Sequence, residues 1–125
     1  MEKEFIPYSE ALALKELGFD ELCFGWYAHN GVYTGYSIKN STMDELNMIK
    51  NSCSTPLYQQ AFRWFREKHK MQAEILWRGD MSCFCYKTGR FKYGEHTFSK
   101  DDYKTYEEAE LECLLKLIEI IKEKQ

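Results

Sequence analysis

MQAEILWRGDMSCFCYKTGRFKYG, residues 71–94, is the stretch on which the fold turns. Gly79-Asp80 and Thr88-Gly89 divide it into three runs rich in aromatic and β-favouring residues, and both dipeptides suit two-residue hairpin turns. The first turn pairs Ile75 with Phe84 and Trp77 with Ser82. The second pairs Phe84 with Tyr93 and Tyr86 with Phe91. Side chains alternate along a strand, so Ala73, Ile75, Trp77, Phe84, Tyr86, Phe91 and Tyr93 all share one face. Two independent turn placements give the same apolar face, which predicts a three-stranded antiparallel meander with its rings turned inward. Glu74, Leu76, Arg78, Cys83, Cys85, Lys87, Arg90 and Lys92 take the opposite face. Arg78-Gly79-Asp80 spells an adhesion tripeptide, but turn chemistry accounts for it.

TPLYQQAFRWFREKHK, residues 55–70, precedes the meander and combines rings with cations. Thr55 is placed to cap a helix and Pro56 to occupy its first position. At 100° per residue, Leu57, Tyr58, Ala61, Phe62, Trp64 and Phe65 form one arc, and Gln59, Arg63, Arg66 and Lys70 the opposite one. The rings are thus segregated from the cations. A base-stacking site needs both to reach one ligand together, so the rings read as core and only the cationic stripe stays a binding candidate.

After the meander, Thr105-x-x-Glu108 is a capping box before a helical run. Ala109, Cys113, Leu114, Leu117, Ile118, Ile120 and Ile121 share one broad arc of it. Glu110 falls inside that arc and is expected to stay wet at the edge of the core. Near the start of the chain, Ser9 is a candidate cap for a helix over residues 10–17. Gly18 suits the left-handed position after it, with Phe19 folding back on Leu14. Asn30-Gly31 then predicts a hairpin with Trp26 opposite Gly35 and Phe24 opposite Ser37. One face would carry Leu22, Phe24 and Trp26, the other Tyr27, Thr34 and Tyr36. Both are apolar enough that the pattern leaves the buried face open. Residues 39–54 read equally as a short helix capped at Thr42 or as a flexible excursion. The fold class is therefore α+β in one domain: two layers in the order α-β-β-α-β-β-β-α, with helices on one face of a mostly antiparallel sheet.

The chain has 125 residues and a net charge of −3, which argues against a generic nucleic-acid binder. Residues 1–54 hold 4 basic and 8 acidic groups, residues 55–104 hold 10 and 6, and residues 105–125 hold 3 and 6. A basic middle is flanked by acidic ends, which balances charge within the chain. The sequence leads us to expect neither a signal peptide nor a transmembrane run, and its five cysteines form an odd count. Reduced thiols in the cytoplasm are the expectation.

Cys83 and Cys85 point to one side of a strand but lack the second pair that structural zinc needs, so they read as buried or half-buried thiols. Cys53, His29, His69 and His96 show no catalytic spacing, and no phosphate-binding or dinucleotide motif occurs. Catalytic, metal and cofactor residues are accordingly none. Two binding sets remain: Arg63, Arg66, Lys70, Arg78, Lys87, Arg90 and Lys92 for an acidic partner or nucleic acid, and Tyr27 and Tyr36 for a protein partner. The first hairpin's edge offers a route to a homodimer.

FIPYSEALALKELGFDELCF, TPLYQQAFRWFREKH and YEEAELECLLKLIEIIKEK together resemble a group of short proteins encoded by bacteriophages and integrated elements of gut bacteria, for which no activity is established. The resemblance covers about half the chain, mainly its helices. It implies a phage-related, cytoplasmic origin and supplies no site residue. The reading reached from the sequence is a small non-enzymatic interaction protein with an unknown protein partner, with weak nucleic-acid binding as the alternative.

Overall fold

The computed structural model describes residues 4–21, 23, 25–28, 31–34, 53–90, 94 and 96–124; for residues 25–28, 31–34, 53, 54 and 124 it describes the backbone alone. The class is α+β. The chain divides into two compact units, Met1–Ala61 and Phe62–Gln125, with the division inside one helix.

The first unit contains α1 (Tyr8–Glu16), β1 (Gly25–Ala28), β2 (Gly31–Thr34) and β3 (Cys53–Thr55). α1 begins before Ser9, which corrects the expected cap. Pro7 holds φ at −60° and its carbonyl accepts the Ala11 N–H at 2.9 Å, while the Ser9 hydroxyl turns to Glu10. The end of α1 is as expected: Gly18 sits at φ +101°, its N–H reaches the Lys15 carbonyl, and Phe19 N–H reaches Leu14. That double closure is a Schellman motif, and it buries Phe19 and Leu14.

The strands form an antiparallel sheet in the order β2-β1-β3. Trp26 lies opposite Tyr33 and Ala28 opposite Gly31, so Gly31 is in the strand and not in the turn. His29, Asn30, Leu22, Phe24 and residues 35–52 lie outside the described residues, and with them the alternatives for residues 39–54 up to Asn51-Ser52. β3 is a strand that the sequence did not announce. Thr55 belongs to it and does not cap a helix. A residue before proline is held extended, and its buried hydroxyl donates to the Ile6 carbonyl at 2.7 Å. Ile6 N–H returns to the Pro56 carbonyl at 3.1 Å, and Phe5 bridges Leu57. This strap buries Phe5 and Ile6.

The helix α2 (Tyr58–His69) starts two residues beyond Pro56, with Ala61 N–H on the Leu57 carbonyl. Tyr58, Ala61, Trp64 and Phe65 are buried, whereas Gln59, Arg63, Arg66, Glu67, Lys68 and Lys70 are exposed, as the helical projection predicts.

The second unit contains β4 (Met71–Arg78), β5 (Cys83–Arg90), β6 (Thr97–Phe98) and α3 (Tyr106–Lys124), with sheet order β4-β5-β6. β4 and β5 pair along their whole length, Met71 opposite Arg90 and Arg78 opposite Cys83. The register differs from the expected one by two residues: Ile75 faces Tyr86 and Trp77 faces Phe84. A type I′ turn would need positive φ at Gly79 and Asp80. The chain instead spans Gly79–Ser82, closes Met81 N–H onto the Arg78 carbonyl at 3.1 Å, and places the positive φ, +50°, at Ser82.

Thr88-Gly89 is not a turn. Thr88 pairs with Ala73 and Gly89 with Gln72, because the longer ladder keeps β5 extended to Arg90. The third strand comes later, Thr97 opposite Thr88 and Phe98 opposite Lys87, and Tyr103 bridges Phe84. Phe91 and Tyr93 lie outside the described residues. Between the two contacts Ser99 completes the ladder: its hydroxyl accepts the Tyr86 N–H and donates to the Asp101 carbonyl.

α3 starts at its capping box, where Thr105 Oγ1 accepts the Glu108 N–H at 3.1 Å. It packs on β5 and β4 and buries Ala109, Cys113, Leu114, Leu117, Ile118 and Ile121. Ile120 and Glu110 are half-buried.

Thr55 gives a direct test of the first unit. Thr55→Val keeps the shape but removes the buried hydrogen bond to the Ile6 carbonyl, and should cost about 1 kcal/mol in urea unfolding, with Thr55→Ser restoring most of it.

Candidate functional site

The β4–β5 register decides where the predicted binding residues go. Glu74, Leu76 and Arg78 share a face with Lys87, Cys85 and Cys83, since directly opposed residues point the same way. Arg90 does not join them. With no turn at Thr88-Gly89, β5 keeps its alternation, and Arg90 falls on the face of Phe84, Tyr86 and Thr88. α3 covers that face: Phe84 meets Tyr106 edge-on at 5.8 Å between ring centres. Arg90 accordingly lines a 450 Å³ cavity with Met71, Thr88, Lys116, Ile120 and Glu123. A carboxylate and four apolar or hydroxyl-bearing groups, Thr97 among them, share that space with the cations.

Three of the remaining cations, Lys87, Arg78 and Lys70, have a neighbour of opposite sign or a local hydrogen bond. Lys87 Nζ lies 3.5 Å from Glu74, directly across the ladder. Arg78 lies 3.2 Å from Asp102, whose negative charge holds the guanidinium pKa above its ordinary value. Lys70 adopts φ +57° after α2 and its ammonium donates to the Glu67 carbonyl at 3.0 Å. Arg63 and Arg66 are exposed on α2. Lys92 and Tyr36 lie outside the described residues, and Tyr27 is described through its backbone, opposite Val32 and Cys53. The structure therefore divides the predicted basic set among a helix, two sheet faces and local ion pairs.

The sequence reading missed a different surface. Trp77 was expected in the core but is 58% exposed. Met81 and Phe98 are 55% and 59% exposed. The Trp77 indole rests beside Gly79, where an added Cβ would lie 3.2 Å from Nε1, and its ring packs on Phe84 at 4.9 Å. Trp77 and Phe98 line one open 340 Å³ depression with Leu76, Arg78, Cys85 and Ser99. The only sequence signal was positional: Trp77 is the next-to-last residue of its strand, which lies at the edge of its sheet.

Cys23, Cys83, Cys85 and Cys113 are buried. Burial raises the Cys83 pKa, and burial followed by the nearby Glu110 charge pushes Cys113 from 9.0 to about 12. Burial, with Tyr103 beside it, pushes Tyr86 from 10.0 to about 12. Raised thiol pKa values oppose the thiolate that nucleophilic catalysis requires. Among the described residues no group of three or more His, Cys, Asp or Glu side chains could hold a metal ion, and no helix is long and apolar enough to cross a membrane. No family model, curated protein or solved structure matches the chain.

Cys113 and Tyr86 keep their protons to higher pH in the folded chain than in the unfolded one. Stability that is complete below about pH 9 is therefore lost as the pH rises toward 12. Urea midpoints should fall steadily over that range, and Cys113→Ala, though less stable throughout, should show a shallower fall. A flat alkaline profile in the parent protein contradicts these assignments.

Proposed function

We propose that this protein is a small non-enzymatic interaction module, cytoplasmic and phage-related, whose contact surface is the exposed end of the β4–β5 hairpin. The observation that carries the reading is the joint exposure of Trp77, Met81 and Phe98, each above half. Large apolar groups held in water on a small domain are characteristic of recognition surfaces, and Trp is enriched among residues that dominate binding. Arg78, which lines the same depression as Trp77 and Phe98, adds a directional polar contact, with Asp102 beside its head group. The raised thiol pKa values and dispersed titratable groups offer no support for a catalytic reading.

Weak nucleic-acid binding, the alternative, draws little from the cations of the sheet, since Lys87 and Arg78 sit beside carboxylates. It would rely on Arg63 and Arg66 of α2. The two readings separate experimentally. Tagged protein should capture a specific partner from lysate of its native host, and Trp77→Ala with Met81→Ala should abolish capture while Arg63→Ala with Arg66→Ala leaves it intact. The opposite pattern, together with DNA or RNA affinity that falls steeply with salt, would favour the nucleic-acid reading.

A further inference from the structure

β4 is an edge strand of eight residues, since its sheet runs β4-β5-β6. Its backbone directions can be derived. Phe84 exchanges both backbone hydrogen bonds with Tyr103, and the Tyr86 carbonyl accepts the Ser99 N–H. Even-numbered residues of β5 therefore aim their backbone groups at the third strand, and odd-numbered ones aim theirs at β4. Cys83, Cys85 and Lys87 face Arg78, Leu76 and Glu74, so those even-numbered β4 residues are bonded inward. Ala73, Ile75 and Trp77 then direct their N–H and C=O groups at the open edge. Among the described residues, no backbone hydrogen bond reaches these three from outside the ladder. A long unpaired edge of this kind is a template for another strand.

The side chains choose the partner. We infer that the β4 edge pairs antiparallel with β4 of a second copy of this chain, about a two-fold axis through Leu76. In that register Ile75 and Trp77 of one copy face Trp77 and Ile75 of the other, and these are outward-directed residues on both sides, so their backbone groups match. Leu76 meets its own copy. Glu74 faces Arg78 of the second copy, twice by symmetry. Neighbouring registers are worse: an axis at Ile75 loses both Glu74–Arg78 pairs and sets Trp77 against Ala73, an axis at Glu74 opposes two carboxylates and sets Lys70 against Arg78, and an axis at Trp77 sets Glu74 against Asp80. Like charges directly opposite are destabilising in a ladder, whereas opposite charges and aromatic–β-branched pairs stabilise it.

The existing ion pairs extend this arrangement. Glu74 already faces Lys87, and Arg78 already holds Asp102. Self-pairing joins them into a charge row, Lys87–Glu74–Arg78–Asp102, that crosses the interface on each side of Leu76. It also covers Trp77 with the Ile75 of the other copy on the helix-bearing face. Both α3 helices then lie on the same side of one continuous six-stranded sheet, built from two copies of β4-β5-β6. The inference rests on the interaction reading above and names a partner for the same end of the sheet.

Sedimentation velocity of the full chain across a concentration series tests it. The average mass should climb from that of a 14.9 kDa monomer toward twice that value. Ile75→Pro removes an outward N–H and no β4–β5 hydrogen bond, so the variant should fold and stay monomeric. Circular dichroism checks its fold. Trp77→Ala alters a mostly exposed side chain and should weaken the dimer roughly tenfold, two Ile–Trp pairs being lost. In the parent protein the amides of Ile75 and Trp77 should gain hydrogen-exchange protection with concentration. A parent that stays monomeric throughout overturns the inference, as does a dimer indifferent to Trp77→Ala and to a folded Ile75→Pro. A monomer that still captures another protein through Trp77 overturns the self-pairing alone and leaves the interaction reading standing.

Discussion

The eight-residue ladder between β4 and β5 governs the second unit of this chain. Its register fixes which residues form the turn, how far β5 runs, and which face Arg90 joins. It also fixes where the third strand attaches, because Thr88 presents its outer backbone groups to Thr97, next to the Lys87–Phe98 pair. α3 settles on the face carrying Phe84 and Tyr86, and the aromatic contacts with Tyr103 and Tyr106 follow from that seat. Eight consecutive pairs make the ladder longer than any other pairing among the described residues. A local turn preference worth a fraction of that cannot override it.

That hierarchy explains what the sequence made legible. Hairpin β4–β5 was expected, and its inward set of Ala73, Ile75, Phe84 and Tyr86 was read correctly although the register was displaced by two residues. A two-residue displacement leaves alternation untouched; a one-residue displacement would have inverted every side chain. Faces were therefore readable and neighbours were not. The same displacement appears in the first hairpin, where Trp26 faces Tyr33 and not Gly35. In both cases a glycine-containing dipeptide was assigned to the turn, and in both the glycine next to it obeyed the strand or a wider loop. At Thr88-Gly89 the error changed the parity, and there the reading of Arg90 failed with it.

Helices were more legible because their determinants are local. The Schellman closure at Gly18 and the cap at Thr105 each depend on residues within one turn. Thr55 failed for the complementary reason. Its sequence context is that of a cap, but a segment 49 residues away supplies a buried carbonyl for its hydroxyl. The candidate surface was illegible on similar grounds. Nothing in the alternation of β4 distinguishes Ile75, which α3 partly covers, from Trp77 two positions on, which it leaves in water. The basic residues were easy to see and their local carboxylate partners were not, since Asp102 reaches Arg78 only through the late attachment of the third strand.

Ser99 gives that attachment a particular mechanical character. One hydroxyl stands in for a backbone acceptor between the Thr97–Phe98 pairs and the Tyr103 bridge, and it also ties Asp101. The segment that carries Asp102 is thus held by one side-chain hydrogen bond set between the Ser99–Tyr86 and Phe84–Tyr103 backbone bonds. Opening this segment means breaking those bonds together, and with them the contact that orients the Arg78 head group. The orientation of Arg78 beside Trp77 and Phe98 thus depends on a serine that lines the same depression.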